Sequence, residues 1–429
     1  MINIPKVTVY ILCKNYAAYI SEAIDSVINQ IFEDWELIII DDGSDDESAQ
    51  IILEYCARYP DKFSCVINKK SLGLFKASNI ALKKARGDYI LRLDADDHLT
   101  EIALLSLFHR AEKSDMPSLV YGGYFYINLV GELLGTESLH EGTKMLGSAF
   151  PPHGACTLIR KRLLSQMGGY DERVMSQDGW DLWFRGQGYA SHAVVAAPIF
   201  YYRQHPQSLS ADKARLLGSR KKIFENIASS RITSNWPDLA VVIPVSENES
   251  SSIGINKIIE KVKQLNASSS NKINTRIYLN SSIEKAEIFD KFDLEHTEYQ
   301  HVRRVALENS NDHRAIIEDS LSSIRNLGET GVWCYVNINN PNWELDDLVG
   351  CYNYLISSVF DQVVTVVEER SPIFKNTNSG LAILGEGKFN DRFSSSNHLF
   401  KFDGSFIMGW CDSKGMGIFS DKLGYWEVV

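Results

Sequence analysis

The first hundred residues alternate short apolar runs with helical spacings, and this limits the fold more than any other feature of the chain. "VTVYILCKN" reads as a strand, and "ISEAIDSVINQ" follows with Ile20, Ala23, Ile24, Val27 and Ile28 at the spacing of one helix face. "WELIIIDDGS" is a continuous β-branched run of the kind buried on both faces, and "DDESAQIILEYCARYP" is a helix with N-cap candidates at its start and Pro60 at its end. "FSCVINKK", the helical "LFKASNIALKKARG" closed by Gly87, and "DYILRLD" continue the series. Such alternation predicts a mostly parallel sheet covered by helices. In open sheets of this type ligands bind beyond the carboxyl ends of the strands, where strand order reverses. Asp41, Asp42, Asp94, Asp96 and Asp97 all fall at expected strand carboxyl ends, so strand order alone gathers acids on one rim.

At 429 residues the chain is too long for one ordinary core, and two α/β domains are expected, residues 1–235 and 236–429. The boundary is set by "SSRITSNWPD", where helical periodicity stops before a new buried strand, "LAVVIPV". Beyond it "TRIYLN", "GVWCYVNIN" and "FDQVVTVVEE" alternate with "INKIIEKVKQLN" and "LDDLVGCYNYLISSV", a loose echo of the first half. The polar "NASSSNK" at 266–272 reads as a loop. Residues 1–235 carry 26 Lys and Arg against 28 Asp and Glu, so most of the overall net charge of −11 belongs to the second half. No dense basic face is present, which argues against nucleic acid as a partner. The short basic runs, among them "KARLLGSRKK" at 213–222, read as solvated helix faces that could also touch anionic lipid. The apolar run before Lys14 is too short for a signal peptide core or a membrane span, so a cytoplasmic location is expected. The seven cysteines, 13, 56, 65, 156, 334, 351 and 411, are scattered without C-x-x-C spacing, so neither disulfides nor a zinc site is expected.

"LRLDADD" places carboxylates at 94, 96 and 97. On an extended segment Asp94 and Asp96 would face one ligand. Two carboxylates that close repel unless a cation sits between them, and hard oxygen ligands suit Mg2+ or Mn2+ completed by water and phosphate oxygens. Read in isolation, the same pattern is more commonly a solvated turn.

Four segments change that balance: the block from "VTVYILCKN" to "IIIDDGSDDES", the block "GLFKASNIALKKARGDYILRLDADD", "SQDGWDLWFR" at 176–185 and "YYRQHPQSLS" at 201–210. In this order and spacing residues 5–232 resemble the family 2 glycosyltransferases, which implies a GT-A fold with a mostly parallel, Rossmann-like sheet. The resemblance implies that Asp42 hydrogen-bonds the nucleotide base with Asp41 in support, that Lys76 lies near the donor, that Asp94 faces the ribose, and that Asp96 and His205 hold the metal. It maps the general base to Asp178, with Asp181 the rival in the same stretch. Two departures stand out: Ser78 where relatives commonly carry Arg, and Gln177 where Glu is usual. Trp180 and Trp183 could stack a sugar or fill the core, and the core is favoured for Trp183.

The implied reaction is metal-dependent transfer of a sugar, with inversion, from a nucleotide diphospho-sugar, UDP-sugars foremost, to a hydroxyl of a glycan or lipid-linked acceptor in surface polysaccharide synthesis. It leaves room for peripheral contact with the inner face of a membrane and for a homodimer through the second domain. Residues 237–429 resemble, more weakly, the cytidylyltransferases that activate acidic sugars, which implies an α/β nucleotidyltransferase-like domain. After "VVIP", however, the chain offers Glu247 and Glu249 with no Lys or Arg until Lys257, so that domain is expected to be non-catalytic. A bifunctional CMP-sugar synthetase and a silent sugar-binding scaffold remain the alternatives.

Overall fold

The computed structural model describes residues 4–139, 154–187, 190–205, 212–232, 236–245, 252–267, 273–281, 299–303, 331–337, 340, 343–358, 362–369, 374–377, 380–383, 399–410 and 423–427. The chain forms two compact units, one built mainly from residues up to Ile223, the other mainly from Phe224 onward. This division falls inside a helix, Lys213–Arg231, whereas the sequence boundary at 235/236 lies beyond that helix.

In the first unit β1 (Val7–Cys13), α1 (Ile20–Ile28), β2 (Trp35–Asp41), α2 (Ser48–Arg58), β3 (Phe63–Ile67), α3 (Leu74–Lys84) and β4 (Tyr89–Asp94) realise the expected alternation. β5 (His98–Leu99), α4 (Ala103–Ala111), β6 (Leu119–Ile127), β7 (Leu133–Glu137), β8 (Leu158–Arg160), α5 (Lys161–Gln166), α6 (Asp178–Gly186), β9 (His192–Arg203) and α7 (Lys213–Arg231) follow. The sheet runs β3-β2-β1-β4-β8-β6-β9-β5, with β7 on the flank of β6. β1, β2, β3 and β4 are mutually parallel, whereas β8 enters antiparallel between β4 and β6, and β5 pairs antiparallel with β9. All seven residues of β2 are buried, as its apolar run demands of a strand covered on both faces. Each buried Ile or Leu there contributes roughly 1.5–3 kcal/mol of transfer free energy.

Strand order reverses at β1, which has β2 on one side and β4 on the other. The register aligns Cys13 with Asp41 and Leu12 with Asp94, so both acids reach the same rim at the switch point. Two local expectations are revised. α3 ends at Lys84 with Ala85 as its C-cap, not at Gly87; Gly87 is needed because a Cβ there would lie 2.6 Å from the Thr8 backbone nitrogen. The chain also leaves the extended state at residues 95–96, where a turn closed by Asp97 N–H donating to Asp94 O (3.1 Å) follows β4. Strand alternation therefore does not reach Asp96, and the residue that shares the Asp94 face of β4 is Arg92.

In the second unit β10 (Leu239–Val245), α8 (Ser252–Ala267), β11 (Thr275–Ser281), β12 (Tyr299–Arg303), β13 (Val332–Val336), α9 (Leu345–Ser357), β14 (Gln362–Glu369), β17 (Leu399–Trp410) and β18 (Leu423–Glu427) build a sheet in the order β12-β11-β10-β13-β17-β14-β18. Its first four strands repeat the 3-2-1-4 parallel order of the first unit, and β17 joins antiparallel to β13. β15 (Phe374–Thr377) and β16 (Gly380–Ile383), which group with the first unit, form a separate antiparallel pair. The segment carrying Glu247 and Glu249 lies outside the described residues. Among the described residues no helix is long and apolar enough to cross a membrane, and Cys13, Cys56, Cys65, Cys156, Cys334 and Cys351 are free thiols.

Candidate active site

The acids of the rim are held by different devices. Asp42 follows β2 and is 6% exposed. Asn68 Nδ2 (3.0 Å) and Leu72 N–H (2.8 Å) donate to its Oδ1, and Ser71 Oγ (2.7 Å) and Gly73 N–H (2.9 Å) to its Oδ2. Burial penalises the charge, but these four donors outweigh it and hold the carboxyl below the ordinary Asp range. The base contact expected of Asp42 therefore meets a carboxylate whose four acceptor positions are already taken by the loop leading into α3. Gly43, at φ 76°, allows that loop to lie against it: a Cβ would be 2.8 Å from Ser71 N. Neighbouring Asp41 accepts from Ser44 N–H (3.1 Å) with Oδ2, while its Oδ1 is buried without a partner. Lys76 stands exposed in the first turn of α3.

This arrangement predicts a stability effect. Asp42→Asn replaces one doubly bonded oxygen by a donor and should lower the unfolding free energy by about 1–3 kcal/mol, read as an earlier urea midpoint at pH 7. Because the folded-state pKa lies below the unfolded value, the contribution of Asp42 is present above the ordinary carboxylate range and is lost as pH falls through the folded pKa. The stability difference between wild type and variant should accordingly shrink in acid.

Asp96 occupies the turn after β4, and its Oδ2 lies 2.8 Å from His205 Nε2. The His205 ring is seated between Tyr16 (5.9 Å, edge-on) and Tyr19 (6.2 Å, stacked), and burial together with the nearby Asp96 raises the pKa of the Tyr16 hydroxyl. The turn is pinned from behind by Arg203, 2% exposed at the end of β9. Its backbone N–H donates to Asp97 Oδ1 (2.9 Å), its Nε to Asp96 O (2.9 Å), its Nη1 to Asn128 O and Leu129 O (3.2 Å each), and its Nη2 pairs with Glu22. The Tyr19 ring covers the guanidinium at 4.7 Å. Asp97 is buried, and desolvation, with Asp96 and Asp94 nearby, raises its pKa well above the usual range.

Asp94 ends β4 with a third of its side chain exposed, its Oδ1 3.1 Å from Arg92 Nε. Burial first, then Asp96 and Asp178, push its carboxyl up to about 6 against the pull of Arg92. Arg92 also reaches Asp178, with Nη2 3.3 Å from Oδ1. Asp178 opens α6 and is 5% exposed; its Oδ2 is buried without a partner. Gly154 makes room for it, since a Cβ there would sit 2.7 Å from Oδ2. Tyr10, the register partner of Arg92 on β1, donates to Tyr170 Oη (2.9 Å) behind this group.

Asp181 is engaged elsewhere: Arg185 Nε donates to its Oδ1 (2.7 Å) and Arg185 Nη2 pairs with Oδ2, while the same guanidinium ties down Met167 O and Gly169 O. Through Arg185 it helps to hold the 167–169 turn. Trp183 is buried and packs on His192 at 5.1 Å, as the core assignment requires. Trp180 stacks on Phe184 and lies under Arg220 at 4.2 Å. Gln177 accepts from Arg220 Nε (2.7 Å) and adopts φ 67°, which aims Asp178 inward. Asn15 after β1 (φ 60°) and Cys156 beside β4 (φ 56°) share this left-handed state. Each such residue costs on the order of 1–3 kcal/mol and persists where surrounding structure fixes a site.

Asp94 and Asp178 thus share the guanidinium of Arg92, while Arg203 holds the Asp96–Asp97 turn through the Asp96 carbonyl oxygen and leaves the Asp96 carboxylate free of it, a grouping of acids that suits a divalent cation. Among the described residues no three His, Cys, Asp or Glu converge as a complete metal cage. The Asp96–His205 pair offers the partial donor set that Mg2+ or Mn2+ takes when water and phosphate complete the shell. Arg92 and Arg203 escaped the sequence reading, although arginines inside the apolar runs "YILRLD" and "IFYYR" were a signal that buried charge had a partner.

Residues 8–168 match the family model described as glycosyl transferase family 2. EpsE of Bacillus subtilis (strain 168), named as a glycosyltransferase, is 31% identical over 193 residues, covering 42% of this chain and 66% of that protein. Chondroitin synthase of Escherichia coli is 31% identical over 187 residues, 43% of this chain and 26% of that protein. The chain thus spans less than two thirds of the length of these relatives. TarS 1-349 of S. aureus in complex with UDP-GlcNAc aligns over 89% of this chain and 97% of that one at 14% identity and a TM-score of 0.45, a loose likeness. Residues 8–168 are therefore similar to family 2 glycosyltransferase domains, and the fold around them is mixed α/β with a parallel-rich sheet.

Proposed function

We propose that the protein is a metal-dependent, inverting glycosyltransferase that moves a sugar from a nucleotide diphospho-sugar, a UDP-sugar foremost, to a hydroxyl of a glycan or lipid-linked acceptor in surface polysaccharide synthesis. The observation that carries the reading is the convergence, on one rim of a family 2 domain, of the Asp96–His205 pair and of Asp178 joined to Asp94 through Arg92. Asp96 and His205 would hold a divalent ion, which would supply charge stabilisation to the departing diphosphate. Asp94 faces the donor's ribose, Asp42 orders the 68–73 loop on the nucleoside side, and Lys76 supplies a cation at its margin. Asp178 accepts the acceptor's proton as its oxygen bonds to the anomeric carbon; the bond to the diphosphate breaks and its electron pair departs with the nucleoside diphosphate. In-line attack inverts the anomeric centre. The second unit, by this reading, organises the enzyme through dimerisation or acceptor presentation and transfers no nucleotide.

A panel of UDP-, GDP- and CMP-sugars, each with and without MnCl2 or MgCl2, tests the proposal by thermal shift and release of the nucleotide. At least one nucleotide diphospho-sugar should stabilise the protein and be turned over only with metal. Turnover that ignores a chelator would overturn the metal assignment, and no stabilisation by any donor would overturn the enzyme class.

A further inference from the structure

Arg92 lies inside a central strand with 5% of its side chain exposed, a costly position for a charge that is not fully paired. Its guanidinium approaches both Asp94 Oδ1 (3.1 Å) and Asp178 Oδ1 (3.3 Å). Yet Nε and Nη1 are buried without a hydrogen-bond partner. Arg203, by contrast, has hydrogen bonds or an ion pair at Nε, Nη1 and Nη2, as befits a cation that pins a turn. Arg92 is held between two carboxylates by charge, and the carboxylate oxygen left buried and unpartnered beside it is Asp178 Oδ2, on a carboxylate that lies against Gly154.

We propose that Arg92 is the positioning residue of this site: it engages Asp178 through Oδ1, so that Oδ2 is the oxygen presented to the acceptor hydroxyl, and ties that setting to the donor-side acid Asp94. The inference rests on the glycosyltransferase reading. Arg92 touches neither reacting centre and acts through Asp178. Only a planar, forked cation spans both carboxylates at these distances; an ammonium at the same place reaches one at a time. Transfer should therefore be sensitive to the shape of this cation as well as to its charge.

The test is a kinetic cycle on the full-length protein, using the UDP-sugar selected from UDP-glucose, UDP-galactose and UDP-N-acetylglucosamine, with Mn2+ and release of UDP as the readout. Arg92→Lys, which keeps the charge, should fold and retain donor KM within a few-fold while kcat falls by about 10-fold or more. Arg92→Met should fall further, and the lysine variant should recover part of that loss. In an Asp178→Asn background the same Arg92→Lys change should cost no more than about 2-fold, because the residue it acts through is already disabled. A merely structural role would lower the melting temperature and multiply the losses equally in both backgrounds. Equal losses, or unchanged kcat in folded Arg92→Lys, would overturn the inference while leaving the enzyme class intact. Absence of UDP release by the wild type from every donor would overturn the reading beneath it, and the inference with it.

Discussion

Asp96→Asn should abolish the metal-dependent part of donor binding. Titration calorimetry with UDP in MnCl2 should show affinity reduced by more than about 100-fold, beyond the 10–100-fold typical of residues that only orient a metal ligand. Three features support a loss of this size in a folded protein. The side chain contributes Oδ2 to the pair with His205, and Asn would present a neutral amide in its place. The turn itself is held through the Asp96 backbone oxygen by Arg203 Nε and through Asp97, neither of which the substitution touches. Removing one negative charge also relieves the crowding of Asp94 and Asp97, both of which Asp96 pushes toward the neutral form, so the variant should not unfold. Metal-dependent affinity equal to wild type would remove Asp96 from the ligand set.

The second large effect separates chemistry from binding. Asp178→Asn should leave donor affinity within a few-fold of wild type and reduce kcat by about 10²–10⁴-fold, the range for loss of a general base. The amide oxygen can still face Arg92, so the buried cation keeps an acceptor, but the amide has no basic lone pair for a hydroxyl proton. Asp181 offers no substitute, because both of its oxygens are engaged by Arg185. Loss of donor binding without loss of kcat would shift Asp178 to a binding role. Product stereochemistry by NMR gives a separate check: retention at the anomeric carbon would contradict direct displacement.

Much of the first unit was legible because its determinants are local. The unbroken apolar run of β2, the 3.6-residue spacing of α1 and the position of the acids after apolar runs follow from chain periodicity and strand direction. So does the gathering of Asp41 and Asp94 at one end of a parallel sheet, since parallel strands place their carboxyl ends together. The place of Trp183 in the core was readable in the same way. The second unit was legible as alternating strands and helices, and its repeat of the 3-2-1-4 order gives the echo a physical form.

Tertiary structure decided what each acid does. Periodicity treats Asp94 and Asp96 alike, but a turn at 95–96 separates them, sending Asp94 to Arg92 and Asp96 to His205, 109 residues away. The sequence marks Asp42 as a candidate for the base; the loop 68–73 fills all four of its acceptor positions, a closure of long range that no local pattern encodes. Asp178 and Asp181 stand three apart on one helix, and the placement of Arg92 and Arg185 separates a carboxylate with one unpartnered oxygen from one engaged at both. The sequence by itself determined which charges lie at the rim, because strand ends and helix faces are written in spacing. How each of them is paired was decided by where Arg92, Arg185, His205 and the 68–73 loop arrive in three dimensions, since a charge in a low-dielectric interior is governed by its nearest partner and not by its neighbours in the chain.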